Sequence, residues 1–391
     1  MLVLPLLKVS VSGGDMSSDF AYRYFSKWRD TVISPTATIK DALSAISRSG
    51  AFISCILGDK GELVAIVTDS DVRRALLMGG SLEDNVMEWS QKDPISAFVE
   101  SDSGDLIEIA REYGIREIPL LDHSGRLADI FVLALHEKRE TPLEENKWDS
   151  NQKVRLPNHM LILAGGLGTR LKSVVNDRPK PLAMVGDKPV IETLITHAVR
   201  SGIRNFFVAV NYMSQLIEEH LASAQYQGIN IQILRESKRL GTAGAIGLIP
   251  DTLKEPLVVG NADVLTTVPL NRLVHHHLDE AADITCAIRP YEVMVPYGVV
   301  DISEKAVRQI VEKPRYTHFV NAGIYVLNPS ICKMVKDNEY LDMPDLIHKS
   351  IRNGSKVVPF LMHEYWMDIG QPDDFHKANQ EYQTYFGDDS I

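Results

Sequence analysis

Apolar positions along this chain recur with two different periods, and the change from one to the other divides it. In residues 39–48, Ala42, Leu43 and Ile46 share a face at helical spacing, so a helix is predicted there. Two short apolar runs follow at 52–57 and 63–67, joined by Gly58-Asp59-Lys60-Gly61, which reads as strand, turn and strand. The pattern returns 64 residues later: Asp41 maps to Asp105, Leu43 to Ile107, Ile46 to Ala110, Gly50 to Gly114, Leu57 to Leu121 and Gly61 to Gly125. A second helix is predicted over 103–112. Two copies indicate a pseudo-symmetric pair rather than a solenoid, which needs at least three.

From residue 160 onward, strands alternate with helices. Strands are predicted at 160–164, 205–210, 229–234 and 257–261, with helices at 190–200 and 214–222 between them. That alternation implies a parallel sheet covered on both faces. Beyond Asp283 the pattern turns strand-rich (284–288, 298–302, 309–312, 319–327), with helices near 331–336 and at 343–352. The expected fold class is therefore α/β, a Rossmann-like mixed sheet preceded by an α+β pair.

Charge sharpens the division. Residues 1–150 hold 16 Lys/Arg and 25 Asp/Glu, net −9, whereas 151–391 hold 25 and 27, net −2. The polar, aperiodic stretch from Thr141 to Lys153 suits a linker. The boundaries expected are a tail at 1–27, the repeated pair at 28–140, a linker at 141–157 and a second domain at 158–391. An overall net charge of −11 argues against nucleic acid as the main partner. No apolar run approaches the roughly 18 residues needed to span a bilayer. Cys55, Cys286 and Cys332 are dispersed without metal-ligand spacing, so free thiols in a cytoplasmic, reducing setting are expected.

The candidate chemistry begins after the first strand of the second domain. Leu163-Ala164-Gly165-Gly166-Leu167-Gly168-Thr169-Arg170-Leu171 is a glycine loop whose backbone N–H groups can approach phosphate oxygens. It lacks the P-loop lysine, and Leu171 stands where a dinucleotide fingerprint needs its third glycine. Arg170, Lys172, Arg178 and Lys180 follow with only Asp177 opposing them, and Pro179 and Pro181 forbid a continuous helix. The prolines pre-aim Lys180, and the whole reads as a triphosphate cradle. The run from Pro256 ends in Asp263 on the edge where open parallel sheets bind ligands. Asp263 and Asp368, on separate elements, suit Mg²⁺ better than a softer metal. The run His275-His276-His277 does not converge on one ion and reads as a solvated helix.

The motif from Leu163 to Leu171 with Arg178-Pro179-Lys180-Pro181-Leu182 resembles the signature of sugar-1-phosphate nucleotidyltransferases, whose domain is GT-A-like. The resemblance covers about 158–386. It implies Arg170 at the β- and γ-phosphates, Lys180 at the α-phosphate, and Asp263 with Asp368 as the Mg²⁺ pair. Nucleotide contacts are implied for Leu163, Ala164, Gly165, Gly166, Gly168, Thr169, Gly241, Thr242 and Ala243. Tyr297, Gly298, Glu312, Lys313 and Asn321 fall at positions that grip the sugar phosphate. The Leu-Gly-Thr-Ala-Gly form of 240–244 favours GTP, with UTP or dTTP as alternatives.

Residues 28–140 resemble a tandem CBS pair, carried by Thr68-Asp69-Ser70-Asp71 and by Ile115-Arg116-Glu117-Ile118-Pro119. In that family Thr68 and Asp71 would hold an adenine nucleotide. The second copy has Val132 and Leu135 at the equivalent positions, so only one cleft is equipped. A purely structural pair, with Asp71 as a helix N-cap, is the other reading. CBS pairs associate face to face, which implies a homo-oligomer. A CBS pair ahead of a transferase resembles the glucosamine-1-phosphate guanylyltransferases of bacterial legionaminic acid pathways; mannose or heptose 1-phosphate is the alternative acceptor. An adenylate sensor with an inert transferase fold is a further reading, opposed by the presence of Arg170, Lys180, Asp263 and Asp368 together. An NAD-dependent oxidoreductase is opposed by Leu171 and the basic arm.

Overall fold

The structure, a computed structural model, describes residues 22–25, 27–49, 51–113, 115–133, 155–166, 178–223, 228–303 and 306–387. The chain forms two compact units, 1–149 and 150–391. Most of the expected linker, 141–154, lies outside the described residues.

The first unit repeats one βαββ motif. Its first copy comprises β2 (Val32–Ile33), α1 (Ile39–Ser49), β3 (Ile53–Leu57) and β4 (Leu63–Thr68), followed by α2 (Asp69–Leu77). The second comprises β5 (Ala97–Phe98), α3 (Ser103–Glu112), β6 (Glu117–Leu121) and β7 (Leu127–Leu133). In each copy the first strand runs parallel to the second and the second antiparallel to the third. The two glycine turns meet, Leu63 N–H donating to the Gly125 carbonyl at 3.2 Å. One boundary needs correction. Residues 22–24 form β1 (Tyr22–Tyr24), an antiparallel edge strand on β7, and Phe25 is buried in the core. The segment expected to be tail thus closes the second copy's sheet.

The second unit is built on a seven-stranded sheet in the order β12-β11-β8-β13-β18-β15-β19. These are β8 (His159–Leu163), β11 (Asn205–Val210), β12 (Asn230–Arg235), β13 (Leu257–Asn261), β15 (Ile284–Met294), β18 (Arg315–Leu327) and β19 (Val357–Leu361). Only β18 runs against the rest. Strand alternation supplies two cores, one on each face. Met160, Ile162, Phe206, Val208 and Val258 point into one; Leu161, Phe207, Leu257 and Val259 point into the other. Helices α4 (Val190–Arg200), α5 (Ser214–Ser223), α7 (Leu270–Asp279) and α9 (Met343–Arg352) cover the faces, with short α6 (Gly241–Gly244) and α8 (Pro329–Cys332). A small hairpin, β9 (Met184–Val185) and β10 (Lys188–Pro189), precedes α4.

Three features depart from the sequence reading. Strands β15 and β18 run well past the sheet, pairing from Arg289↔Val320 out to Met294↔Arg315 as a two-stranded ribbon. Beyond it lies a separate hairpin, β16 (Val299–Ser303) with β17 (Ala306–Val311). The helix expected near 331–336 is instead the single turn of α8. Unanticipated are β14 (Val264–Thr266), β20 (Trp366–Asp368) and the closing helix α10 (Pro372–Phe386), whose Ala378, Tyr382 and Phe386 build a third core with Val185, Leu265 and Met367.

The histidine helix is also corrected. In α7, His277 is 1% exposed, its Nδ1 2.9 Å from Thr285 Oγ1 and its Nε2 3.1 Å from Asn328 Oδ1. This helix packs against the sheet, and its histidines belong to that packing rather than to a solvated face.

Candidate active site

Lys180 stands between two prolines, which fix the backbone on either side of it. Pro179 and Pro181 are both buried, and Lys180–Leu182 makes one 3₁₀ turn where a longer helix is barred. The turn presents the lysine from a fixed backbone. Its ammonium stands 2.6 Å from Asp263 Oδ2 and 3.7 Å from Asp368 Oδ1.

The two carboxylates arrive from neighbouring strands. Asp263 sits between β13 and β14, and β14 pairs with β20 so that Val264 is the partner of Asp368. The Ile369 N–H donates to the Asp263 carbonyl at 3.0 Å, locking the two backbones side by side. Asp263 Oδ1 is buried and, among the described residues, has no hydrogen-bond partner. A buried carboxylate oxygen without a donor is costly unless a ligand supplies the missing charge. Two hard oxygen donors fit Mg²⁺, which takes one or two carboxylates plus substrate phosphates. Trp366 packs beside them, its indole N–H donating to the Ala322 carbonyl at 2.8 Å with the Arg289 guanidinium 5.3 Å over its ring.

The glycine loop leaves the adjacent strand at the same edge. Ala164 N–H donates to the Ala209 carbonyl and Ala262 N–H to the Leu163 carbonyl, so Leu163 and Ala164 continue the sheet and hold the loop's start in place. Around Gly166 no atom lies within 4 Å of where a Cβ would stand, whereas a Cβ on Gly165 would meet Glu236 Oε1 at 2.7 Å. Gly168, Thr169 and Arg170 lie outside the described residues.

Glu236 is the residue that sequence reasoning missed. It follows β12 at the same ligand-binding edge as Asp263, and that position was the available signal. Its Oε2 accepts from the Leu240 N–H at 3.2 Å, and Asn211 Nδ2 donates to its carbonyl at 3.0 Å. Burial pushes its carboxyl above the usual range, against the lowering effect of the Leu240 N–H and of Arg239.

The small residues of 240–244 owe their size to the chain itself. Gly241 has φ +77°, and a Cβ there would stand 2.6 Å from the Leu341 carbonyl oxygen; one on Gly244 would stand 2.3 Å from that of Glu339. Ala243 and Gly244 N–H both donate to Leu341, and Thr242 N–H donates to Asp342 Oδ1 at 3.0 Å. Internal packing accounts for the glycines, and those backbone donors already have partners.

The sugar-phosphate candidates fall into two places. Asn321 stands at the sheet edge, opposite Ile288, with Nδ2 donating to Tyr325 Oη at 2.6 Å and Oδ1 accepting from Gly323 N–H at 3.0 Å. Tyr297, Gly298, Glu312 and Lys313 lie on the segment that links β15 to β18, where a Cβ on Gly298 would stand 3.0 Å from Glu312 Oε2.

In the first unit Thr68, rather than Asp71, is the N-cap of α2. Thr68 Oγ1 accepts from Asp71 N–H at 3.1 Å, and Asp71 Oδ2 accepts from Thr68 N–H at 3.0 Å, a complete capping box. Asp71 is 2% exposed; Oδ2 also accepts from Gln91 Nε2 at 3.0 Å, and Oδ1 pairs with the Arg74 guanidinium. Ribose hydroxyls could reach this carboxylate only by displacing those donors. Val132 is buried in β7, and Leu135 lies outside the described residues.

Comparison with known proteins accords with this layout. A family model described as nucleotidyl transferase matches residues 159–385, and a CBS domain model matches 16–78. A D-glycero-alpha-D-manno-heptose 1-phosphate guanylyltransferase of Aneurinibacillus thermoaerophilus is 33% identical, over 58% of this chain and 98% of that protein. A mannose-1-phosphate guanylyltransferase catalytic subunit beta of Danio rerio is also 33% identical, over 55% of this chain but 62% of its own length. A solved structure of HddC from Yersinia pseudotuberculosis complexed with GMP-PN is 28% identical, at a TM-score of 0.46, covering 57% of this chain and 99% of that one. Among the described residues no helix is long and apolar enough to cross a membrane.

Proposed function

The chain belongs to the nucleotidyl transferase family, and we propose that it transfers GMP from GTP to a sugar 1-phosphate, releasing pyrophosphate. The observation that carries this reading is the Lys180 ammonium set against Asp263 and Asp368 beside the glycine loop. A phosphate oxygen of the acceptor attacks the α-phosphorus, and the bond from that phosphorus to the bridging oxygen breaks. The attacking oxygen is already anionic, so no general base is required. The demand is to hold like charges together and stabilise the departing one. Lys180 supplies a rigidly presented cation for the α-phosphate, and Arg170, by its place in the motif, one for the leaving pyrophosphate. Asp263 and Asp368 would hold Mg²⁺, which when bound neutralises phosphate charge.

Guanine is supported by the names of the relatives and by Glu236. A carboxylate is acceptor-only and can take two parallel donors. Guanine alone among the common bases offers adjacent N1–H and N2–H donors on one edge. Uracil and thymine present one such N–H flanked by carbonyls, and adenine one amino group beside an acceptor nitrogen.

For the acceptor, glucosamine 1-phosphate is favoured by the CBS pair ahead of the transferase, and heptose or mannose 1-phosphate by the relatives' names. Pyrophosphate release measured for GTP, ATP, UTP and dTTP against these three sugar phosphates separates the readings. GTP with glucosamine 1-phosphate should give the highest kcat/KM. Turnover confined to UTP or dTTP would refute guanylyl transfer, and full activity in EDTA would refute the metal.

A further inference from the structure

Arg289 on β15 is a half-buried cation with no carboxylate partner among the described residues. Its Nη1 donates to the Trp366 carbonyl at 2.8 Å, and its guanidinium lies 5.3 Å over the Trp366 ring. A cation drawn out of water is normally paired with an acid; this one is committed to one residue of β20. Strand β20 has only three residues, and among the described residues its one sheet partner is β14. The Tyr365 carbonyl accepts from Thr267 N–H at 3.1 Å and Ile369 N–H donates to the Asp263 carbonyl at 3.0 Å, so 365, 367 and 369 face β14. The backbone groups of Trp366 and Asp368 therefore face away from it, and Arg289 is the donor that meets the Trp366 carbonyl. The indole is tied as well, its N–H donating to the Ala322 carbonyl at 2.8 Å. Arg289 pairs with Val320 on β18, the strand that also carries Ala322, so β15 and β18 grip β20 at two points. Both points act on Trp366, two residues from Asp368, whose side chain is 53% exposed. A carboxylate so exposed is aimed by its backbone more than by its packing.

We propose that Arg289 is a positioning residue for the reaction. By holding the Trp366 carbonyl and indole it fixes β20, and so keeps Asp368 at the distance from Asp263 that a divalent cation needs. The inference rests on the reading of Asp263 and Asp368 as the Mg²⁺ pair. In this role Arg289 meets neither metal nor substrate. A guanidinium suits the task, because one planar cation both donates to the carbonyl and lies on the aromatic face. The same support serves the acceptor end. Asn321, the candidate for the sugar, stands between Val320, the partner of Arg289, and Ala322, the acceptor for the indole. Groups that orient metal ligands typically contribute about 10–100-fold to metal affinity or activity.

The test is Mn²⁺ affinity, read from the electron paramagnetic resonance signal of the free ion, with the full chain in excess over α,β-methylene GTP. The parent is compared with Arg289→Ala and Asp368→Asn. The expected result is a fall of about tenfold or more for Arg289→Ala and a larger one for Asp368→Asn, with circular dichroism unchanged in both. Turnover of Arg289→Ala should recover in part as Mg²⁺ is raised. A residue that served only the fold would lower the melting temperature and leave the Mn²⁺ affinity alone. Parent-like Mn²⁺ affinity in Arg289→Ala, beside a loss in Asp368→Asn, overturns the proposal and leaves the metal reading standing. Parent-like affinity in Asp368→Asn as well overturns both. A raised KM for the sugar phosphate with unaltered Mn²⁺ affinity would make Arg289 a contact of the acceptor, and overturns the proposal too. Should Arg289→Ala not fold, Arg289→Gln, which also lacks the planar cation, takes its place with the same expectations.

Discussion

The Lys180 ammonium lies 2.6 Å from Asp263 Oδ2, although the two residues are separated by five strands and several helices along the chain. Lys180 has 13% of its side chain exposed, so this pair is largely shielded from solvent screening. Substitution Lys180→Ala removes the cation and leaves Asp263 with neither oxygen paired. The expected outcome is a fall in kcat of about 10²–10³ with an unchanged circular dichroism spectrum. Near-normal pyrophosphate release by this variant would remove Lys180 from the chemistry.

Glu236 and Gly165 meet at the edge of the sheet, and on the proposed guanine reading the Glu236 carboxylate accepts the two donors of the base. Glu236→Gln converts one acceptor into a donor, leaving one guanine N–H unpaired at a cost of about 1–3 kcal/mol. The kcat/KM for GTP should fall about tenfold or more while that for ATP falls less. Equal losses for both nucleotides would mean that Glu236 serves only the fold.

Asp71 organises its own unit. Replacing it with alanine breaks the capping box, which contributes about 0.5–2 kcal/mol, and leaves Gln91 and Arg74 without their shared acceptor. Asp71→Ala should lower the first unfolding transition of the chain with no nucleotide present. A variant as stable as the parent would free the carboxylate for the ribose role implied by the CBS resemblance.

His277 couples the second unit to pH. Burial holds its ring below the ordinary histidine range, although Asn328 and Asp283 pull it upward and His276 adds to the lowering. Asn328 Nδ2 donates to the Ala282 carbonyl at 2.9 Å, so its Oδ1 accepts from His277 Nε2–H, and Nδ1 accepts from Thr285. The unfolded chain therefore binds this proton more tightly than the folded one. Stability is fully present above the unfolded value near 6.5 and declines as pH falls below it. The melting temperature should drop between about pH 6.5 and 5 in the parent, and that slope should flatten in His277→Gln. An identical slope in both would assign the effect elsewhere.

Local pattern read well where one period governs one environment. Strands β11 and β13 and helices α4 and α9 run between the residues that periodicity indicated, because each has a continuous apolar face against a core. The ribbon was illegible for the opposite reason. Residues 289–294 and 315–320 bury no face, so neither alternation nor hydrophobicity marks them, and only pairing of one strand with the other makes them strands. Helix α10 escaped notice because its buried positions, Ala378, Tyr382 and Phe386, are few and widely set among polar residues.

The sequence by itself determined the chemistry on offer: a glycine loop, a proline-fixed lysine and two distant aspartates, each recognisable from residue type and spacing. Their convergence was decided by the tertiary structure, because the β14–β20 pairing that sets Asp263 beside Asp368 joins strands of three residues with no periodicity to announce them. Burial was decided there too. Whether a carboxylate such as Asp71 is closed by donors of its own helix, or one such as Glu236 keeps an oxygen toward the loop, depends on which neighbours packing brings within hydrogen-bond reach, and a one-dimensional pattern does not carry that information.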